Sequence, residues 1–85
     1  MRAKDAYRLI VTRTGRGPAF LAAADRVDHI ELQSVDDLEV ALFWDVPARS
    51  TSRMEAELRA DLERLDASAF LSRWRRIAGP EDLRG

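Results

Sequence analysis

Eighty-five residues with 14 Lys and Arg against 15 Asp and Glu carry a net charge of -1, and 46% of them are hydrophobic, so one small domain (1–85) with a thin core is the expectation. The absence of cysteine excludes disulfide staples and thiolate chemistry and fits a reducing, cytoplasmic setting. No apolar run approaches the ~20 residues that a bilayer-spanning helix needs, so no membrane partner is expected.

Met1–Asp5 reads as a short polar lead. Over 6–13, Tyr7, Leu9 and Val11 alternate with Arg8 and Thr12, with Ile10 breaking the pattern, and such alternation predicts a strand. Thr14-Gly15-Arg16-Gly17-Pro18 marks a turn, because glycine accepts positive φ and proline fixes φ. Residues 19–25, Ala-Phe-Leu-Ala-Ala-Ala-Asp, suit either a strand pairing back onto 7–13 or a short helix. The strand is preferred, since so few residues make a poor isolated helix.

In 27–33, Ile30 and Leu32 point one way and His29, Glu31 and Gln33 the other. In 38–45, Leu38, Val40, Leu42 and Trp44 alternate with Glu39, Ala41, Phe43 and Asp45, and Val46-Pro47 ends the run. Opposed residues of an antiparallel pair share a face, so Ile30 and Leu32 should meet even-numbered partners among Leu38, Val40 and Leu42. That calls for an odd-length connection, such as a three-residue loop within 34–37, with an Asp in the left-handed conformation.

Ser52 with Glu55 matches a capping box. Met54, Leu58, Leu62 and Leu65 follow at helical spacing and predict a helix over about 53–65. Arg53–Glu57, Glu55–Arg59 and Arg59–Glu63 are its candidate surface pairs. Asp66 or Ser68 can cap a second helix to about Ala78, lined by Phe70, Leu71, Trp74, Ile77 and Ala78; one bent helix is the alternative. Gly79-Pro80 is a stop, and 81–85 read as a frayed tail. The expected fold is therefore α+β: an antiparallel sheet of three to four strands (6–46), then two C-terminal helices (52–78) packed on one face, then a tail (79–85).

Charge is unevenly spread. Residues 1–26 hold Arg2, Lys4, Arg8, Arg13, Arg16 and Arg26 against Asp5 and Asp25, whereas 27–45 hold Asp28, Glu31, Asp36, Asp37, Glu39 and Asp45 with no Lys or Arg. Cross-strand pairing between these segments is the expectation, a bipolar surface for self-association the alternative. His29 beside Asp28 and Glu31 has the residue types of a general base, but no nucleophile context accompanies it, and a solvent-facing histidine is the simpler reading. No metal or phosphate motif is present and no cofactor is expected. Arg73, Arg75 and Arg76 around Trp74 suggest a nucleic-acid-binding patch in composition only, because the slightly negative chain and its acidic middle oppose phosphate.

The strongest signal is excess apolar surface. Ile10, Ala41 and Phe43 lie opposite the core-facing side of their strands, and Phe20 and Trp74 add bulk. With helices on one side only, these residues need a covering partner. The sequence therefore predicts a non-catalytic protein-interaction module, a homodimer or a complex with another protein, through Ile10, Phe20, Ala41 and Phe43. A nucleic-acid-associated regulator is the alternative, and a small enzyme using His29 a more distant one.

Overall fold

A computed structural model describes residues 1–13 and 26–83 of the chain. Its elements in chain order are α1 (Ala3–Ala6), β1 (Tyr7–Thr12), β2 (Val27–Ser34), β3 (Val40–Pro47), α2 (Ala48–Arg64), α3 (Ala67–Trp74) and a 3-10 turn at Pro80–Leu83. The three strands form one antiparallel sheet in the order β1-β2-β3. The sheet followed by two C-terminal helices is the α+β arrangement the patterning predicts. The strand-or-helix question over 19–25, with Phe20, lies outside the described residues.

Parity decides which side chains meet the helices. Leu9 opposes Leu32 and Val11 opposes Ile30; across the other ladder Leu32 opposes Leu42 and Ile30 opposes Trp44. These inward residues join Val46, Met54, Leu58, Leu62, Phe70, Trp74 and Ile77 in one core cluster. The even-to-even pairing holds, but Ile30 meets Trp44 because the connection is longer than three residues. The turn closes through Leu38 N–H to the Ser34 carbonyl at 2.9 Å and Ser34 N–H to the Glu39 carbonyl at 2.8 Å.

The third strand starts two residues later than its alternation suggests. Leu38 has φ 61, a left-handed conformation that breaks an extended run before it begins. An Asp was the natural candidate for that conformation; instead Asp37 uses its carboxylate, accepting from Glu39 N–H at 3.0 Å. The left-handed region costs a branched-chain residue such as leucine roughly 1 kcal/mol, and Asn tolerates it better. Leu38 is 59% exposed, so little burial is lost on replacing it. Leu38→Asn is expected to raise stability by about 0.5–1 kcal/mol in urea unfolding; an unchanged or lower midpoint would contradict a strained turn.

A bulge also redirects Val40. Leu32 pairs with Leu42, but the next pair is Gln33 with Val40, leaving Ala41 as the extra residue. One inserted residue moves the side chains beyond it to the other face. Val40, which strict alternation places in the core, is 50% exposed on the outer side. At the other end β3 runs through Pro47, opposite Val27; among the described residues β3 is an edge strand, where a missing N–H is tolerated.

Helix α2 then starts at Ala48, five residues before its apolar stripe suggests, and the capping box at Ser52 does not form. No side chain caps Pro47 at its N-terminus. The first turn is held from β2 instead: the buried Thr51 hydroxyl donates to Asp28 Oδ2 at 2.7 Å, placing a carboxylate near the positive end of the helix dipole. Met54, Leu58 and Leu62 are buried as the stripe requires. Of the three candidate surface pairs only Glu55–Arg59 forms, at 2.9 Å. Arg53 donates to the Pro80 carbonyl at 3.0 Å, and Lys4 approaches Glu63 at 3.5 Å.

Two helices, not one bent helix, make the C-terminal half. Asp66 caps α3 by accepting from Ala69 N–H at 2.7 Å. The junction is fixed by the N-terminus: Ala3 N–H donates to the Leu65 carbonyl at 3.1 Å, and Ala67 N–H to the Met1 carbonyl at 2.8 Å. Ala3 is fully buried, so the expected polar lead contributes one residue to the core while Met1, Arg2, Lys4 and Asp5 stay exposed. The expected frayed tail is likewise ordered over Pro80–Leu83: Pro80 is buried, Leu83 packs on the core, and Asp82 Oδ2 accepts from Ala78 N–H at 2.8 Å.

Candidate functional site

With α2 and α3 on the inner side, the outer face of the sheet is set by the remaining side chains. It forms a grid of three rows. Arg8, Gln33 and Val40 make the first, Ile10, Glu31 and Phe43 the second, and Thr12, His29 and Asp45 the third, with Val27 and Pro47 beyond them. Phe43 is 52% exposed. Exposed Val40 lies on the same face of β3, exposed Leu38 sits in the turn before the strand, and the bulged Ala41 is exposed on the same strand. Ile10 and Phe43 thus come together on one face, flanking Glu31, as the excess of apolar residues suggests.

The polar groups of this face are mostly satisfied within it. Arg8 Nη2 donates to Gln33 Oε1 at 3.3 Å. His29 Nδ1 lies 2.7 Å from Asp45 Oδ1, and its ring stacks on Phe43 with centroids 5.6 Å apart. The partner of His29 is across the ladder, not Asp28 or Glu31 along its own strand. Directly opposed residues are closer than same-face residues of one strand, which stand roughly 6.5–7 Å apart. Asp28 points the other way, into the core. The His29 and Asp45 side chains are 42% and 64% exposed, on an open surface. Depressions among the described residues open elsewhere, around Arg76 and Leu83, around Tyr7 and Leu62, and around Pro47 and Arg53. Thr12 shares the row with this His–Asp pair, and none of the depressions just named adjoins it.

The arginine cluster is dispersed by its own fold. Arg73 Nε donates to Asp61 Oδ2 at 2.8 Å and its guanidinium sits 5.5 Å from the centre of the Trp74 ring. Trp74 is fully buried, so it is core and not a stacking platform for a base. Arg75 and Arg76 are exposed, and Asp82 shares the depression that Arg76 and Arg73 line. Arg2, Lys4 and Arg13 do not join them. Lys4 pairs with Glu63 and Arg13 with Glu55 at 2.7 Å, and Arg2 donates to the Glu63 carbonyl at 2.7 Å. Among the described residues no ion pair joins β1 to β2, where Ile10 faces Glu31 and Arg8 faces Gln33; the expected pairing of 1–26 with 27–45 also involves residues 14–25, which lie outside the described residues.

Comparison with known proteins finds no matching family model, no matching curated protein and no matching solved structure. Among the described residues no three His, Asp or Glu side chains group as metal ligands, and no helix is long and apolar enough to cross a membrane.

Two features of this arrangement escaped the sequence. Asp61 is a buried carboxylate hub, accepting also from Trp74 Nε1 at 2.9 Å and Arg64 Nη2 at 2.7 Å. Its position three residues after Leu58 and four before Leu65 put it on the apolar stripe, a legible signal. Glu31 at the centre of the outer grid was not legible, because the centre exists only once the strand order is known.

Proposed function

We propose that this chain is a non-catalytic protein-interaction module that docks a protein against the outer face of its sheet. The observation that carries this reading is Phe43, half exposed in the middle row of that face, with Val40 along its strand and Ile10 across Glu31, while α2 and α3 pack on the opposite side. A contiguous apolar patch rimmed by polar groups is the usual mark of a docking surface. The docked protein is a second copy of the chain or a different molecule. A reducing compartment, consistent with the absence of cysteine, belongs to the same reading. Nucleic-acid binding has less support, since Arg73 is committed to Asp61.

Site-specific photo-crosslinking in the native host tests the surface. A photoreactive phenylalanine analogue in place of Val40 is expected to give a discrete protein adduct. The same analogue in place of Arg75, on the helical side, is expected to give none. Adducts of equal yield at both positions, or at neither, would remove the outer face as the docking surface.

A further inference from the structure

Glu31 occupies a particular place. It lies on the central strand, in the middle of three rows, with Ile10 opposite it on one side and Phe43 on the other. Among the described residues no hydrogen bond or ion pair reaches its carboxylate, whereas His29 is bonded to Asp45 and Arg8 to Gln33. Any partner that covers Ile10 and Phe43 must also take Glu31 out of water. A buried carboxylate without a cation costs several kcal/mol.

This requirement separates the two kinds of partner. Two copies stacked face to face are related by a two-fold axis, and an axis through the centre of the face maps the centre onto itself. Glu31 would then confront its own copy in a drying interface, across sheets ~10 Å apart. Arg8, diagonal to Glu31 on β1, is already hydrogen-bonded to Gln33. A different molecule can instead bring a cation to the centre. The wider field favours such an approach: besides Glu31, the face and the turn that adjoins it carry Asp36, Asp37, Glu39 and Asp45 against the one cation Arg8 among the described residues of the grid, and charge of one sign steers its opposite.

We propose that the outer face takes an amphipathic helix of a different protein, whose apolar stripe covers Ile10 and Phe43 and whose single Lys or Arg in that stripe pairs with Glu31. A helix is about 10 Å across, which matches the two inter-strand gaps of about 4.8 Å that separate β1 from β3. The inference rests on the outer face being the docking surface and adds the identity of what docks: a basic amphipathic helix, not a second copy.

Two synthetic helical peptides of about 18 residues, five turns, provide the probe. Both carry the same leucine stripe and differ only in Lys or Glu at its midpoint. In fluorescence titration the Lys peptide is expected to bind the full chain at least about tenfold more tightly than the Glu peptide. The preference is expected to reverse for Glu31→Lys, with folding of that variant confirmed by circular dichroism. Sedimentation adds a second arm: the unaltered chain stays monomeric, and Glu31→Leu, which removes the central charge, self-associates. Equal affinity for the two peptides, binding of neither, or no reversal in Glu31→Lys overturns the proposal. So does a dimer of the unaltered chain that Phe43→Ser dissociates; that result would keep the outer face as a docking surface while assigning it to a second copy. Failure of crosslinking at position 40 would instead remove the surface itself.

Discussion

Replacing Trp74 by alanine is expected to remove about 3–5 kcal/mol of stability, the usual range for truncating a fully buried aromatic residue. Trp74 sits where sheet and helices meet. Its ring is edge-on to Trp44 with centroids 5.9 Å apart and stacked on Phe70 at 6.1 Å. Trp44 in turn anchors the sheet to the segment after α3, donating from Nε1 to the Ile77 carbonyl at 2.7 Å. Truncation leaves a cavity between these groups that a sheet bonded on one side and a helix capped on the other cannot close. Domains of this length hold only about 4–13 kcal/mol in total, so one substitution takes a large share. At 4–8 °C per kcal/mol for a domain of this size, the thermal midpoint should fall by more than about 12 °C. Phe43→Ser, at a half-exposed aromatic on the other face, is the control and should move it far less. A loss below about 1 kcal/mol for Trp74→Ala would mean that the core is not organised around this ring.

The parts of this fold that were legible are those set by neighbours in the chain. A period of two put Ile30 and Leu32 on one side of β2 and Leu42 and Trp44 on the matching side of β3. A period of near four put Met54, Leu58 and Leu62 on one side of α2, and Asp66 announced the cap of α3. The parts that were not legible depend on partners far along the chain. Ala48 begins a helix because Thr51 finds Asp28 on β2, a contact across 23 positions. Ala3 is core because Met1 and Ala3 bond the α2–α3 junction some sixty residues away. The bulge at Ala41 exposes Val40 without any glycine or proline to signal it. The same division runs through the candidate surface. Phe43 and Ile10 were visible as apolar residues on the wrong side of their strands. Glu31 gained its meaning from the order β1-β2-β3, which puts it between them.

The polar side of the core gives a sharper test than its volume. Asp61→Ala is expected to cost about 2–3 kcal/mol, most of it from one stranded donor. The three donors to this carboxylate differ in what they can do without it. The Arg64 and Arg73 side chains are 64% and 45% exposed, so their guanidiniums return to water when Asp61 is removed. The indole N–H of Trp74 has no such route, because the residue is fully buried. A double-mutant cycle isolates this term. Trp74→Phe deletes the donor but leaves Asp61 two guanidinium partners, and in that background Asp61→Ala no longer strands an N–H. Urea unfolding of the two single variants and the double variant should therefore show a coupling of about 1–2 kcal/mol, the double variant losing less than the two single losses combined. Additivity within about 0.5 kcal/mol would show that the indole bond contributes nothing measurable and that Asp61 acts only through its arginines. The salt response distinguishes the same two cases: a loss carried by exposed guanidinium pairs shrinks as ionic strength rises, whereas a loss carried by a buried indole N–H does not.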